Sequence, residues 1–157
     1  MPNHDAEQLE RDLRALAEGL QQQSTLEELG LGQKKKITDR TAEGLDYLGD
    51  EFTAYQSDRW KKEREKKELP TDKVNLEFNL YDGMLTYLST EVDLQEGDVT
   101  VGIFDEQKAL VAEGHNTGAN HLPKRQFMGV SEKDTKDLAQ LMGQEVEQLL
   151  EKLDLDT

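Results

Sequence analysis

Cysteine is absent from the 157 residues, so a disulfide framework, a thiolate nucleophile and a cysteine-ligated metal are all excluded. Apolar residues are scarce at 34% of the chain, no more than the 34% that are charged. A core built from so few is thin, and some burial against a partner is expected. The length is one domain's worth, and residues 1–157 are expected to fold as a single domain. No run of about 18 apolar residues occurs, which leaves no candidate membrane span. Met1-Pro2-Asn3-His4-Asp5 lacks the basic-then-apolar order of an export signal, so none is expected. Cations are few: 19 Lys and Arg stand against 34 Asp and Glu, a net charge of −15. That balance argues against wrapping a nucleic acid over the general surface, because phosphate binding needs cations. The chain has no GxSxG, HExxH, P-loop or GxGxxG motif. Its many carboxylates read as solvated faces rather than as an acid–base pair, and neither an enzyme nor a cofactor is expected.

What is present is periodic. Leu9, Leu13, Leu16 and Leu20 recur at helical spacing, which predicts an amphipathic helix from Asp5 to about Gln22. Thr25 and Glu28 fit a capping box before Leu26 and Leu29, so a short helix is expected there, stopped by Gly30 and Gly32. Ile37, Thr41, Leu45, Leu48, Phe52 and Tyr55 then predict a second long helix over about Gln33 to Gln56. After Pro70, Val74, Leu76, Phe78 and Leu80 alternate with polar residues as in a half-buried strand. Ser89 to Leu94 and Val99 to Val101, joined by Gln95-Glu96-Gly97-Asp98, read as a hairpin. Gln107 to Glu113 suits a short helix and Gly114 to Leu122 a polar loop. Ser131 with Asp134 opens a last helix whose Leu138, Leu141, Met142, Val146, Leu149 and Leu153 share one face. The expected fold class is α+β: N-terminal helices, a small antiparallel sheet with a hairpin, and a C-terminal helix packed on it.

Two features are candidates for function. His115 and His121 lie six apart in a polar stretch and His4 is remote. Metal pairs on a helix face are three or four apart, so no metal site is expected. From Arg59 to Lys67 the run RWKKEREKK carries Arg59, Lys61, Lys62, Arg64, Lys66 and Lys67 against Glu63 and Glu65, a local excess of cations in an acidic chain. It is expected to be an exposed, charged loop over residues 57–73 that makes electrostatic contact between subunits. Plain solvation and contact with nucleic acid are the other readings. Trp60 is expected to anchor a core or interface rather than to stack on a base.

The second half of the chain carries an ordered set of pieces. They are Leu80 and Gly83-Met84-Leu85, then Val99-Thr100-Val101-Gly102, Ala109 to Glu113, His115-Asn116-Thr117-Gly118, and Pro123-Lys124-Arg125-Gln126-Phe127-Met128-Gly129 before Ser131. In order and spacing this half resembles the phage virion morphogenesis family, the Mu G-like proteins that complete the tail or neck of tailed bacteriophages. Lys124 and Gln126 depart from the small or Pro residues common in that family. The resemblance implies a tail terminator or tail-completion subunit in the virion, forming a ring at the head–tail junction after assembly in the host cytoplasm. It further implies self-association, six-fold as in tail tubes of this kind, contact with a neck or connector protein and a tail tube protein, and passage of DNA through the lumen. A head–tail connector subunit is the neighbouring reading; a small acidic cytosolic adaptor is the reading from another class. Pro123, Arg125 and Phe127 are expected either to sit at an interface with the basic run or to dock their own loop on the sheet.

Overall fold

A computed structural model describes residues 6–20, 22–76, 83–119 and 121–152. Among them are five α-helices and a two-stranded antiparallel sheet, an α+β fold. The helices are α1 (Ala6–Leu20), α2 (Gln23–Ala42), α3 (Asp58–Lys66), α4 (Glu106–Thr117) and α5 (Glu132–Lys152); the strands are β1 (Leu88–Asp93) and β2 (Asp98–Ile103). A 3-10 turn at Met84–Tyr87 leads into β1. No described helix is long and apolar enough to cross a membrane. The chain forms two compact units: Met1–Gln33, Thr90–Thr100 and Glu132–Thr157 make the first, and Lys34–Ser89 with Val101–Ser131 the second.

In the first unit α1 packs on α5. Gly19 lets the two approach, since a Cβ there would meet both Leu149 methyls at 2.9 Å. Leu16 and Leu20 are half-buried while Leu9 and Leu13 remain exposed, so half of the predicted stripe is uncovered. Between α2 and α5, buried Gln33 donates to Asp134 (3.2 Å), a bond that joins residues 101 apart in sequence. Glu28 lies beside Glu145, and the shared hydrogen bond and like charge push its carboxyl above the usual range.

The expected short helix ending at Gly30 and Gly32 is instead the first half of one continuous α2. Gly30 is there for space, not for a stop: a Cβ would come within 2.7 Å of Val99 Cγ2 and 3.0 Å of Thr90 Cγ2, so only glycine lets the helix lie against the hairpin. The real stop is Gly44. Its φ of +79° is left-handed, and Leu45 and Gly44 donate back to the carbonyls of Arg40 (2.8 Å) and Thr41 (3.1 Å), a Schellman ending. The helix expected to run on to Gln56 is therefore a loop after Ala42, closed by a bridge between Leu45 and Glu51 and by Asp46 Oδ1, which accepts from the N–H groups of Leu48 and Asp50.

In the second unit Ile37, Phe52, Tyr55, Val74, Leu76, Met84, Leu88, Ala112 and Phe127 form the core. Val74 and Leu76 are buried with Asn75 between them less so, in keeping with the expected alternation. They make no ladder, and Phe78 and Leu80 fall outside the described residues. The hairpin is present, its turn held by Asp93 Oδ1, which accepts from Gln95 and Glu96, and by Gly97 N–H donating to the Asp93 carbonyl (2.8 Å). α4 starts at its cap Asp105 and ends at left-handed Gly118, so His115 belongs to a helix and not to the expected loop.

Three substitutions test this architecture. Gly143→Ala, at an α5 position with nothing within 4 Å of the added methyl, is expected to stabilise by about 0.5–1 kcal/mol from helix propensity. Gly30→Ala, also in a helix, is expected to destabilise because stiff Val99 and Thr90 cannot yield. Glu28→Gln is expected to raise the melting temperature at pH 7, and the gain is expected to vanish in acid. A raised carboxyl weakens the fold only once it is ionised, and protonation relieves the wild type. Thermal melts by circular dichroism read all three.

Candidate functional site

The run from Arg59 to Lys67 folds as helix, because Ser57 in extended conformation caps it by accepting from the Trp60 N–H (3.2 Å). The expected exposed loop is thus replaced by α3 over most of its cationic part. The helix ends in a left-handed residue, Glu68 (φ +57°), with Leu69 N–H donating to the Arg64 carbonyl at 3.0 Å. Arg59, Lys62, Lys66 and Lys67 are exposed and Lys61 half-buried. Lys66 pairs with Glu63 at 3.0 Å, and that contact holds the Glu63 carboxyl below the usual range. Arg64 breaks from this set: at 1% exposure it lies inside the second unit, its Nε donating to the Pro70 carbonyl (3.0 Å) and its guanidinium 5.0 Å from the Tyr55 ring centroid. It is a structural cation, not part of the exposed patch.

Pro123 to Gly129 has no strand or helix of its own, and it is held by bonds from three directions. Arg125 N–H donates to the His115 carbonyl in the last turn of α4 (2.7 Å), satisfying an acceptor that the helix end leaves open. Arg125 Nε and Nη2 donate to the carbonyls of Thr53 (2.8 Å) and Ala54 (3.2 Å). Arg40, from the end of α2, donates to the carbonyls of Phe127 (3.2 Å) and Gly129 (2.7 Å), and Met128 N–H donates to Asn116 Oδ1 (3.0 Å). Phe127 is fully buried, and Gly129 lies under Tyr47, whose ring a Cβ would meet at 2.7 Å. Arg125 and Phe127 dock the segment within its own unit, Arg125 on residues 53–54 and the end of α4 rather than on the sheet. Pro123 stays half-buried at the surface.

Beside this segment opens a groove of about 510 Å³, within the range of binding sites in general. Trp60, Leu76, Val111, Leu122 and Pro123 supply apolar wall; Arg125, His115 and His121 supply polar groups; among the described residues no carboxylate lines it. The structure therefore brings together Trp60, Pro123 and Arg125 from the expected set and adds Tyr55, Leu76, Val111 and Leu122, which sequence reasoning missed. Tyr55 falls within the expected second long helix, which ends at Ala42 instead, and Leu76 is aligned only by the fold. Trp60 sits on the rim, part exposed, with its indole on the groove side of α3. His115 is largely buried; desolvation first and the nearby Arg125 charge second push its imidazole below the ordinary value. Its buried Nδ1 has no hydrogen-bond partner among the described residues. His121 holds a left-handed backbone (φ +61°) at the groove edge. The described residues contain no cluster of three His, Asp or Glu side chains arranged for a metal ion, and His4 lies outside them.

No family model matches the chain, and no curated protein or solved structure matches it either.

Phe127→Ala is expected to cost about 3–5 kcal/mol, and Arg125→Met roughly 1–3 kcal/mol through orphaned Thr53 and Ala54 carbonyls; denaturant titration measures both. For His115 the sign follows from a depressed folded value: the unfolded chain takes the proton first, near 6.5. Stability is then complete above that pH and falls as the pH drops through the folded value. His115→Gln is expected to flatten this acid-side loss in melts between pH 5 and 7.5.

Proposed function

We propose that this protein is a structural component of a tailed-phage virion, a tail terminator or tail-completion subunit that assembles with copies of itself into a ring at the head–tail junction. The observation that carries the reading is the ordered series of pieces from Gly83 to Ser131, together with the use the fold makes of its most specific one. Pro123 to Gly129 ties the end of α2, the end of α4 and residues 53–54 into one unit, a framework role that accounts for the spacing of Arg125, Phe127 and Gly129. Support also comes from the surface. Leu110 is 67% exposed and Phe104, Val111, Leu94 and Leu13 stand largely uncovered, more apolar area than a thin-cored monomer gains by presenting.

In this reading the exposed cations of α3 serve subunit contact. A chain of net charge −15 offers acidic faces, Glu145, Glu147 and Glu151 among them, to which a neighbour's cationic helix is attracted. Such contacts are screened beyond about 8–10 Å at ordinary ionic strength. The ring does not grip DNA: a tight hold on phosphates would oppose rapid passage through the lumen, and an acidic surface favours release.

Two experiments bear on this. Mass spectrometry of purified particles of the phage that encodes the protein is expected to detect it, with electron microscopy placing it as a closed ring at the head–tail junction; particles that lack it overturn the reading. Replacing Lys61, Lys62, Lys66 and Lys67 together with Gln is expected to weaken assembly and to remove most of its salt dependence, with helical content unchanged. Normal assembly into particles that fail only to retain or eject DNA would show instead that α3 acts on nucleic acid.

A further inference from the structure

We infer that the groove of the second unit receives the β-hairpin tip of a second copy of this chain, with Leu94 entering the groove and Asp93, Glu96 and Asp98 meeting the cations around it. The inference rests on the self-assembly proposed above and names the surfaces that carry it.

The hairpin tip is a fixed shape. Asp93 Oδ1 takes the N–H groups of Gln95 and Glu96, Gly97 (φ +70°) closes on the Asp93 carbonyl, and residues 93–96 are all exposed. Turn positions favour Gly, Asn, Asp, Pro and Ser for reasons of backbone geometry. Leu94 answers none of those needs, yet it stands 53% exposed at the tip with acidic residues on both sides. A rigid turn that carries a leucine into solvent holds it already ordered for burial elsewhere, so little conformational entropy is lost on docking.

The groove complements the tip in both respects. Its wall of Trp60, Leu76, Val111 and Leu122 suits an aliphatic side chain, and an aromatic rim residue is the usual anchor at such a surface. Its charge runs against the chain's: among the described residues no carboxylate lines the groove, whereas Arg125 and two histidines do. Arg59, Lys61 and Lys62 flank Trp60 on α3, and Lys124 follows Pro123. Apolar surface continues past the groove onto the outer face of α4 at Leu110, an extent that fits a protein surface better than a small ligand. Tip and groove are different patches, so the contact is heterologous, and each copy that engages one keeps the other free for the next.

The chain has no cysteine, so the test can be made by pairwise cross-linking of the full-length protein. Val111, exposed on the groove wall, is paired with the tip. Mild oxidation of Leu94→Cys/Val111→Cys is expected to give a covalent ladder of trimers and larger species on a non-reducing gel, and either single variant at most dimers. Leu48→Cys/Val111→Cys is the control, since Leu48 is as exposed as Leu94 and also sits on an acidic loop; it is expected to give no ladder. Leu94→Asp is expected to weaken self-association at least tenfold by sedimentation equilibrium without changing the far-ultraviolet spectrum. A ladder from the Leu48 pair, a monomeric intrachain disulfide from the Leu94 pair, or no ladder from a protein that light scattering shows to be oligomeric would overturn the inference and leave self-assembly standing. A protein monomeric at every concentration would overturn both.

Discussion

The second unit depends on one buried guanidinium. Arg125 ties a segment with no secondary structure of its own to two backbone carbonyls of another such segment, while its own N–H closes the end of α4. Regular ladders would ordinarily satisfy those groups, but neither segment belongs to a described strand. A planar fork with several donors is the side chain that can span irregular backbone in this way, and lysine, a single point charge, could not. The aromatic ring of Tyr55 lies 5.0 Å and 5.3 Å from the guanidiniums of Arg64 and Arg125. Two cations are thus kept inside a unit whose apolar core is small, with the π-electron density of Tyr55 and backbone carbonyl oxygens among their counter-groups.

Placing arginines inside has a consequence outside. The groove floor inherits positive charge from Arg125 while its walls come from apolar residues that the limited core cannot cover, so one construction yields both the stability of the unit and a cationic, apolar-walled surface on a chain of net charge −15. The buried imidazole of His115 belongs to the same arrangement: the charge beside it and the loss of water both keep it neutral. α3 adds its lysines at the rim because Ser57 starts the helix and Glu68 ends it, which turns Arg64 inward and leaves Lys62 and Lys66 outward. The first unit is organised differently, by glycines that admit neighbours: Gly19 toward Leu149, Gly30 toward the hairpin.

Composition and periodicity alone determined a good deal: the α+β class, the positions of α1 and α5, the hairpin with its turn near Gly97, the absence of cysteine chemistry and the sign asymmetry of Arg59 to Lys67. These are local or additive properties, readable from spacing, capping residues and charge. Tertiary structure alone decided the rest. A glycine in a helical pattern reads the same whether it stops the helix, as Gly44 does, or admits a methyl group from another element, as Gly30 does; the difference lies in atoms distant in sequence. The apolar spacing of Leu45, Leu48, Phe52 and Tyr55 satisfied a helix by coincidence, because Phe52 and Tyr55 are buried from a segment without regular structure once Gly44 has turned the chain. Arg64 and Arg125 look like any surface arginine in a charged sequence, and their burial follows only from carbonyls and a ring that folding brings to them. Local chemistry sets what a segment can form, whereas which side chain is inside depends on partners that are adjacent only in space.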